Sequence, residues 1–227
     1  MIKKIYSTLN RNLKKVQWYN LRSLEPVSKI FSYDRGTPID RVYIDNFLEK
    51  NKASISGVTC EIAEDSYSRK YGNNVKILEV FHFEEGNTNA TIVGDLTDLP
   101  TLPENRIDCF ILTQTLNFIY DYKCAIKGVY HMLNKGGVVL ATVSGISQIS
   151  RYDMDRWGDY WRFTDLSIIK SFEEVFGEGN VKVETYGNVL TSTAFLQGIS
   201  AEELTKEEVF HTDKDYQVTI AVRAVKK

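Results

Sequence analysis

The sequence predicts an α/β fold, a mainly parallel sheet with helices on both faces, on three observations. Short β-prone apolar runs alternate with helical patterns from Gly57 to Tyr186, the rhythm of strands joined by covering helices. One run, "IDCFILTQT" (107–115), is almost continuously apolar, as a central parallel strand buried on both faces must be. The chain closes on "DYQVTIAVRAVKK", where Tyr216, Val218, Ile220 and Val222 alternate with Gln217, Thr219, Ala221 and Arg223. That period of two predicts a half-buried strand near a sheet edge.

The elements follow in order. Residues 1–35 read as a basic N-terminal extension, and residues 36–227 as one domain. The opening stretch Met1–Arg22 is loosely amphipathic and suits a solvated helix or a frayed arm, with docking to a partner or membrane surface as the other reading. "RGTP" breaks the chain, and Asp40 then begins a helix whose inward residues are Val42, Tyr43, Phe47 and Leu48. This helix is expected to cover the sheet ahead of the first strand. "GVTCEIA", "VKILEVFHF" and "ATIVGDL" are the first three strands, and "IDCFILTQT" is the fourth. "YKCAIKGVYHML" is a helix with Ala125, Val129, Met132 and Leu133 inward, stopped by a glycine C-cap in "NKGG". "GVVLATV" is the fifth strand, and a long polar and aromatic loop (144–163) interrupts the rhythm there. Thr164 caps the helix "DLSIIKSFEEVF", with Ile168, Ile169, Phe172, Val175 and Phe176 inward and Gly177 at its end. "NVKVETYG" is the sixth strand, and residues 188–210 are mixed and partly helical.

A chain of 227 residues with net charge -2 suits one domain with a substantial core. The near-neutral balance gives no reason to expect nucleic acid as a partner. Cys60, Cys109 and Cys124 form no CxxC pair, which argues against a disulfide framework and for a reducing compartment, the cytoplasm. His82, His131 and His211 are widely spaced, so no metal site is expected. No apolar segment is long enough to be a transmembrane span.

Ligands of an open α/β sheet sit beyond the carboxyl ends of its strands. Glu61 stands at the end of the first, Glu79 at the expected end of the second and Asp95 at the end of the third. An acid after the second strand can accept from ribose hydroxyls. Asp95 can accept from an adenine amino group or simply close its own turn. The turn after Glu61 has Ala63, Glu64, Asp65, Ser66 and Tyr67, where a diphosphate would need glycines and no like charge. Its acidity suits a cationic ligand. No phosphate-loop lysine motif and no GxSxG nucleophile turn exist. On the long loop, Tyr152, Arg156, Trp157, Tyr160, Trp161 and Arg162 are candidate substrate-binding residues, with Asp159 beside them. Asp153 and Asp155 are candidate catalytic bases. His82 is a third, unless it merely bonds its own backbone. The competing reading of the loop is a structural lid, its tryptophans packed on the core and its Asp–Arg pairs bridging the surface.

The ordered features "VTCEIAE", Glu79, "GDLTDLP", "IDCFILTQTLNFIYD" and "HMLNKGGVVLATV" resemble the class I S-adenosylmethionine-dependent methyltransferases, over about residues 57–143. The later features look like the type 11 group. "DRGTPIDRVYIDNFL" and "DYWRFT" are similar to a bacterial subgroup associated with sugar or cell-surface polysaccharide modification. The resemblance implies a Rossmann-like seven-stranded sheet with an antiparallel last strand. It implies S-adenosyl-L-methionine as cofactor, with Glu61 toward its methionine end, Glu79 at the ribose, Asp95 and Leu96 at the adenine, and Gln114 near the methionine or acceptor. The family's GxGxG turn falls on Ala63–Tyr67, a departure from the pattern. The expected function is methyl transfer to a small-molecule or sugar-like hydroxyl. Its rivals are a catalytically inactive methyltransferase-like scaffold, with a glycosyltransferase or homo-oligomer partner, and a different nucleoside-binding enzyme.

Overall fold

A computed structural model describes residues 22–227; the amphipathic reading of Met1–Arg22 therefore lies outside the described residues, save for its last. Seven strands form one sheet: β1 (Gly57–Ile62), β2 (Val75–His82), β3 (Ile92–Val93), β4 (Ile107–Thr113), β5 (Leu133–Ser144), β6 (Val181–Tyr186) and β7 (Thr219–Val225). Their order is β3-β2-β1-β4-β5-β7-β6. β1 to β5 pair in parallel, and β7 runs antiparallel to both of its neighbours. This is the expected mostly parallel sheet with an antiparallel last strand.

The helices are α1 (Ile39–Asn51), α2 (Ser66–Tyr71), α3 (Tyr122–Met132), α4 (Arg151–Met154), α5 (Asp165–Phe176), α6 (Val189–Gln197) and α7 (Lys206–Phe210). Strand alternation divides the core between two faces. Phe110 and Leu112 of β4, with Val139 and Ala141 of β5, pack under α3 and α5 against Ile126, Val129 and Phe172. Cys109, Ile111 and Leu140 point the other way, against Tyr43, Ile44 and Phe47 of α1 and Phe195 of α6. α1 thus covers the sheet as its apolar spacing predicts, although Val42 is only partly buried at the cluster's edge. α5 begins at the predicted cap, where Thr164 and Ser167 form a reciprocal capping box.

Three expectations change. The final strand lies one place in from the edge, between β5 and β6, but it is not half-buried: Ile220, Ala221 and Val222 are fully buried. β6 takes the edge itself. The third strand shrinks to Ile92–Val93, because Gly94–Leu96 already turns away. "NKGG" does not cap α3. Leu133 is already extended (φ -69°, ψ 140°), and the four residues lie in an irregular start to β5, with Gly136 at φ 83°. Gly128 serves α3 differently, since a Cβ there would run into the Leu96 carbonyl.

Residues ahead of α1 are tied to the same face. The Ser28 amide donates to the Gln197 carbonyl (3.0 Å), and the Phe31 and Phe195 ring centres lie 5.7 Å apart. Arg35 pairs with Glu203 at 2.6 Å. This packing sets Lys29–Tyr33 above the carboxyl ends of the central strands.

Candidate active site

A cavity of about 560 Å³ opens over the carboxyl ends of β4 and β5. Thr113 and Gln114 leave β4 at its floor, and Ser144 leaves β5. Asp40 and Arg41 of α1 form one wall, Phe31 and Tyr33 cover it from the N-terminal side, and the long loop closes the rest. Gln114 adopts a left-handed conformation (φ 48°), and its amide donates to the Thr142 carbonyl at 2.8 Å. Its Oε1 accepts from Ser144 Oγ at 2.7 Å, while its Nε2 is buried without a partner. Four of the seven buried, unpartnered side-chain polar atoms found among the described residues line this one cavity: Asp40 Oδ1, Gln114 Nε2, Asn117 Oδ1 and Arg162 Nε. Buried polar atoms are normally satisfied, so the shortage of protein partners among the described residues is concentrated in this wall.

The long loop is both wall and strut. Arg162 donates to both Asp159 carboxylate oxygens (2.6 and 2.8 Å) and to the Gln148 and Trp161 carbonyls. Asp159, buried, also accepts from the Ser150 amide at 2.9 Å. The Tyr160 and Trp161 amides donate to the Asn117 carbonyl, and Trp161 Nε1 donates to the Tyr120 carbonyl. These bonds fasten the loop to the exit of β4. Asp153 faces the cavity; Ser150 Oγ donates to its Oδ2 (2.5 Å) and Trp157 Nε1 to its Oδ1 (3.2 Å).

The loop candidates therefore divide. Asp153, Tyr152, Asp159 and Arg162 line the cavity. Asp155 instead pairs with Arg151 at the surface. Arg156 lies on the Tyr152 ring, 3.4 Å from its centre. Trp157 orients Asp153 from outside, and Tyr160 and Trp161 pack on Tyr120, with Trp161 also against Tyr122. His82 ends β2, with Nδ1 2.8 Å from the Glu84 carbonyl, and lines no part of this cavity.

The residues expected around the cofactor fall into two groups. Glu61 is buried, and its oxygens accept from the Tyr67 amide (3.1 Å) and from the Ser68 amide and hydroxyl (both 2.8 Å). It thereby holds the first turn of α2 against β1. Burial pushes its carboxyl above the ordinary range, and the Ser68 and Tyr67 hydrogen bonds pull against that rise. Ala63 stands at φ 64°, a left-handed turn that normally asks for glycine. Glu79 does not end its strand. Three further residues of β2 follow it, and its buried carboxylate is taken up by Arg106 and the Thr91 hydroxyl. The acids beyond the true end of β2 are the exposed Glu84 and Glu85. The register shows why: Glu61 pairs with Val80 and Ile62 with Phe81, so β2 runs on past Glu79. Asp95 Oδ1 accepts from the Thr97 amide and hydroxyl (both 2.8 Å), closing its own turn. Leu96 is buried in the core beneath α3. Asp40, Arg41 and Asn117 escaped sequence reasoning as site residues. The one signal for Asp40 and Arg41 was the "RGTP" break, which sets polar residues on the first turn of α1, whereas Asn117 lies in the turn that follows β4.

Among the described residues no three His, Cys, Asp or Glu side chains gather as metal ligands, and no helix is long and apolar enough to cross a membrane. Cys60, Cys109 and Cys124 are free; burial raises the first two thiols, Cys109 to about 12.

Comparison with known proteins places this geometry. A methyltransferase-domain family model matches residues 54–141. No curated protein sequence matches the chain. Among solved structures, a S-adenosylmethionine-dependent methyltransferase of Thermotoga maritima, described as a possible histamine N-methyltransferase, is 16% identical with TM-score 0.52. The match covers 93% of this chain and 100% of that one. The [4+2]-cyclase SpnF is 13% identical with TM-score 0.53, covering 90% of this chain and 88% of that one. A Mesorhizobium loti methyltransferase is 14% identical with TM-score 0.50, covering 83% and 98%. At such identities the likeness is one of fold.

The residues fit S-adenosylmethionine on the chain's own terms. The glycine-type turn survives at Ala63 without a glycine. Glu64 and Asp65 beside it would repel a diphosphate but attract a sulfonium and an ammonium. The unpartnered Gln114 Nε2 and Asn117 Oδ1 offer a donor and an acceptor to a zwitterion.

Proposed function

We propose that the chain is a class I S-adenosylmethionine-dependent methyltransferase, a reading supported by the methyltransferase-domain match over residues 54–141 and by the order of its sheet, and that its cavity presents the hydroxyl of a small, sugar-like molecule for methylation. When bound, the cofactor supplies an electrophilic methyl group on its sulfonium. The chain's own task is then mainly to position the acceptor in line with that methyl group.

The observation that carries the reading is the polar cavity over β4 and β5, with Asp153 in its wall and, among the described residues, no cation paired to it. A volume of about 560 Å³ lies within the usual range for small-molecule sites. Ser144, Ser147 and Gln148 supply the mixed donors and acceptors that a hydroxyl-rich ligand needs. Tyr152, exposed at the rim, adds an aromatic ring beside them. Asp153 receives the acceptor's proton, held in aim by Ser150 and Trp157. Asp155 and His82 are assigned no part, being turned to Arg151 and to the Glu84 carbonyl. Asp159 and Arg162 hold the loop's shape. The free thiols suit a reducing compartment, and we assign the protein to the cytoplasm on that ground.

The test is calorimetric titration with S-adenosylhomocysteine and S-adenosylmethionine, followed by methyl transfer to a panel of nucleotide sugars and glycans. Micromolar binding and a methylated sugar are expected. Asp153→Asn should lower kcat by about 100-fold or more, as loss of a general base does, with S-adenosylhomocysteine affinity unchanged. No binding at millimolar ligand would overturn the reading in favour of a scaffold.

A further inference from the structure

We propose that Asp40 and Arg41 form a two-point receptor for the amino-acid end of the cofactor, Asp40 accepting from its ammonium and Arg41 donating to its carboxylate. The inference rests on the cofactor reading above and extends it to a pair of residues outside the residues matched by the methyltransferase-domain model, 54–141.

The argument is one of elimination among the charges of the cavity wall. Among the described residues four cations line it: Lys29, Arg41, Arg151 and Arg162. Lys29 pairs with Glu25 at 2.5 Å, Arg151 with Asp155 at 3.3 Å, and Arg162 with Asp159 and two carbonyls. Arg41 differs. Its hydrogen bonds run to the hydroxyls of Tyr33 (3.1 Å) and Tyr67 (3.4 Å), both neutral acceptors. Its nearest carboxylate oxygen, Asp40 Oδ2, stands 3.9 Å from Nε, too far for a hydrogen bond. Among the described residues three carboxylates line the same cavity: Asp40, Asp153 and Asp159. Asp159 is filled by Arg162 and the Ser150 amide, and Asp153 by Ser150 and Trp157. Asp40 keeps a buried Oδ1 with no partner, on a side chain only 14% exposed.

An acid and a base on adjacent residues, each short of a strong partner, thus face one cavity. An α-amino acid presents the complementary pair, an ammonium and a carboxylate on a single carbon. Gln114 Nε2 and Asn117 Oδ1, also unpartnered in this wall, add a second donor for the carboxylate and a second acceptor for the ammonium. Burial raises the Asp40 carboxyl, against the pull of Arg41 and two backbone amides. An arriving cation relieves that cost.

The arrangement also gives a role to the glycine-poor turn. Tyr67, at the end of the stretch Ala63–Tyr67, is the residue whose hydroxyl holds Arg41. Its ring stacks on Tyr71, centres 6.4 Å apart. The side chain that stands in place of a glycine therefore leans toward α1 and helps aim the guanidinium.

Calorimetry with S-adenosylhomocysteine and with 5′-methylthioadenosine tests the proposal, because the second ligand keeps the adenosine and thioether and lacks the amino acid. Wild type should bind S-adenosylhomocysteine the more tightly. Asp40→Asn and Arg41→Gln should each lower that affinity by about 10- to 100-fold, the usual effect of losing a charged hydrogen bond, while methylthioadenosine binding stays within about twofold. Retained methylthioadenosine binding shows at the same time that the variants fold. An unchanged ratio of the two affinities in both variants would overturn the receptor while leaving the cofactor reading intact; so would equal loss of both ligands in both variants. Wild type that binds neither ligand would overturn both.

Discussion

Ala63 puts the site's backbone to a test with an unusual sign. Its amide donates to the Phe81 carbonyl at 2.9 Å, and its carbonyl accepts from Asn87 Nδ2 at 2.7 Å. Held from both sides, it sits at φ 64°. A left-handed conformation costs an L-residue about 1–2 kcal/mol, and glycine adopts it freely. Against this, glycine loses roughly 0.5–1 kcal/mol more backbone entropy on folding than alanine. Ala63→Gly should therefore stabilise the protein by about 0.5–1 kcal/mol. For a chain of this size that raises Tm by about 1–4 °C. Urea and thermal melts followed by circular dichroism read the change. Ala125→Gly is the control: Ala125 is fully buried inside α3, where the same substitution loses about 1 kcal/mol or more. If Ala63→Gly loses stability as the control does, the left-handed turn is wrong, and with it the argument that this loop keeps a glycine-type shape. S-adenosylhomocysteine should bind the variant at least as well as wild type.

Two other outcomes follow from the same geometry. Glu79→Gln keeps volume but removes the charge that faces Arg106; since Arg106 is 49% exposed, the loss should be about 1–3 kcal/mol, with S-adenosylhomocysteine affinity unchanged in calorimetry. A loss of affinity of tenfold or more would return Glu79 to the ribose. Glu203 is pulled down to about 2, first by the Arg35 hydrogen bond and then by the Ser200 backbone. Because the folded value is lowered, its contribution to stability is complete above the ordinary glutamate value and is lost as pH falls toward 2. Carboxyl NMR titration should show the low midpoint in wild type and a rise toward the ordinary value in Arg35→Gln. An unmoved midpoint would refute the pairing.

Much of the fold was legible in the sequence because it rests on local pattern. The apolar run at 107–115 named β4 as central, the Thr164 cap and Gly177 bounded α5, and the spacing of Tyr43, Phe47 and Leu48 turned α1 inward. Period and capping are properties of a few consecutive residues, and side chains express them wherever the segment lies. The place of a strand within the sheet is not such a property. Val218, Ile220 and Val222 alternate as a half-buried strand would, yet β7 is enclosed between β5 and β6 and covered on both faces, so that Thr219 and Ala221, the other phase of the alternation, are fully buried as well. Glu79 was read as a strand end because an acid there can accept from ribose hydroxyls, but within β2 it is an acid that is costly to bury. The tertiary structure meets that cost with Arg106, a residue 27 positions away. Likewise Asp40 carried only the look of a helix start, and Asn117 that of a loop. What makes them part of the site is a cavity formed by α1, β4, β5 and the long loop together. Local chemistry determined which elements form; the meeting of distant segments, each burying apolar surface that the others leave open, decided which polar atoms were left facing one another.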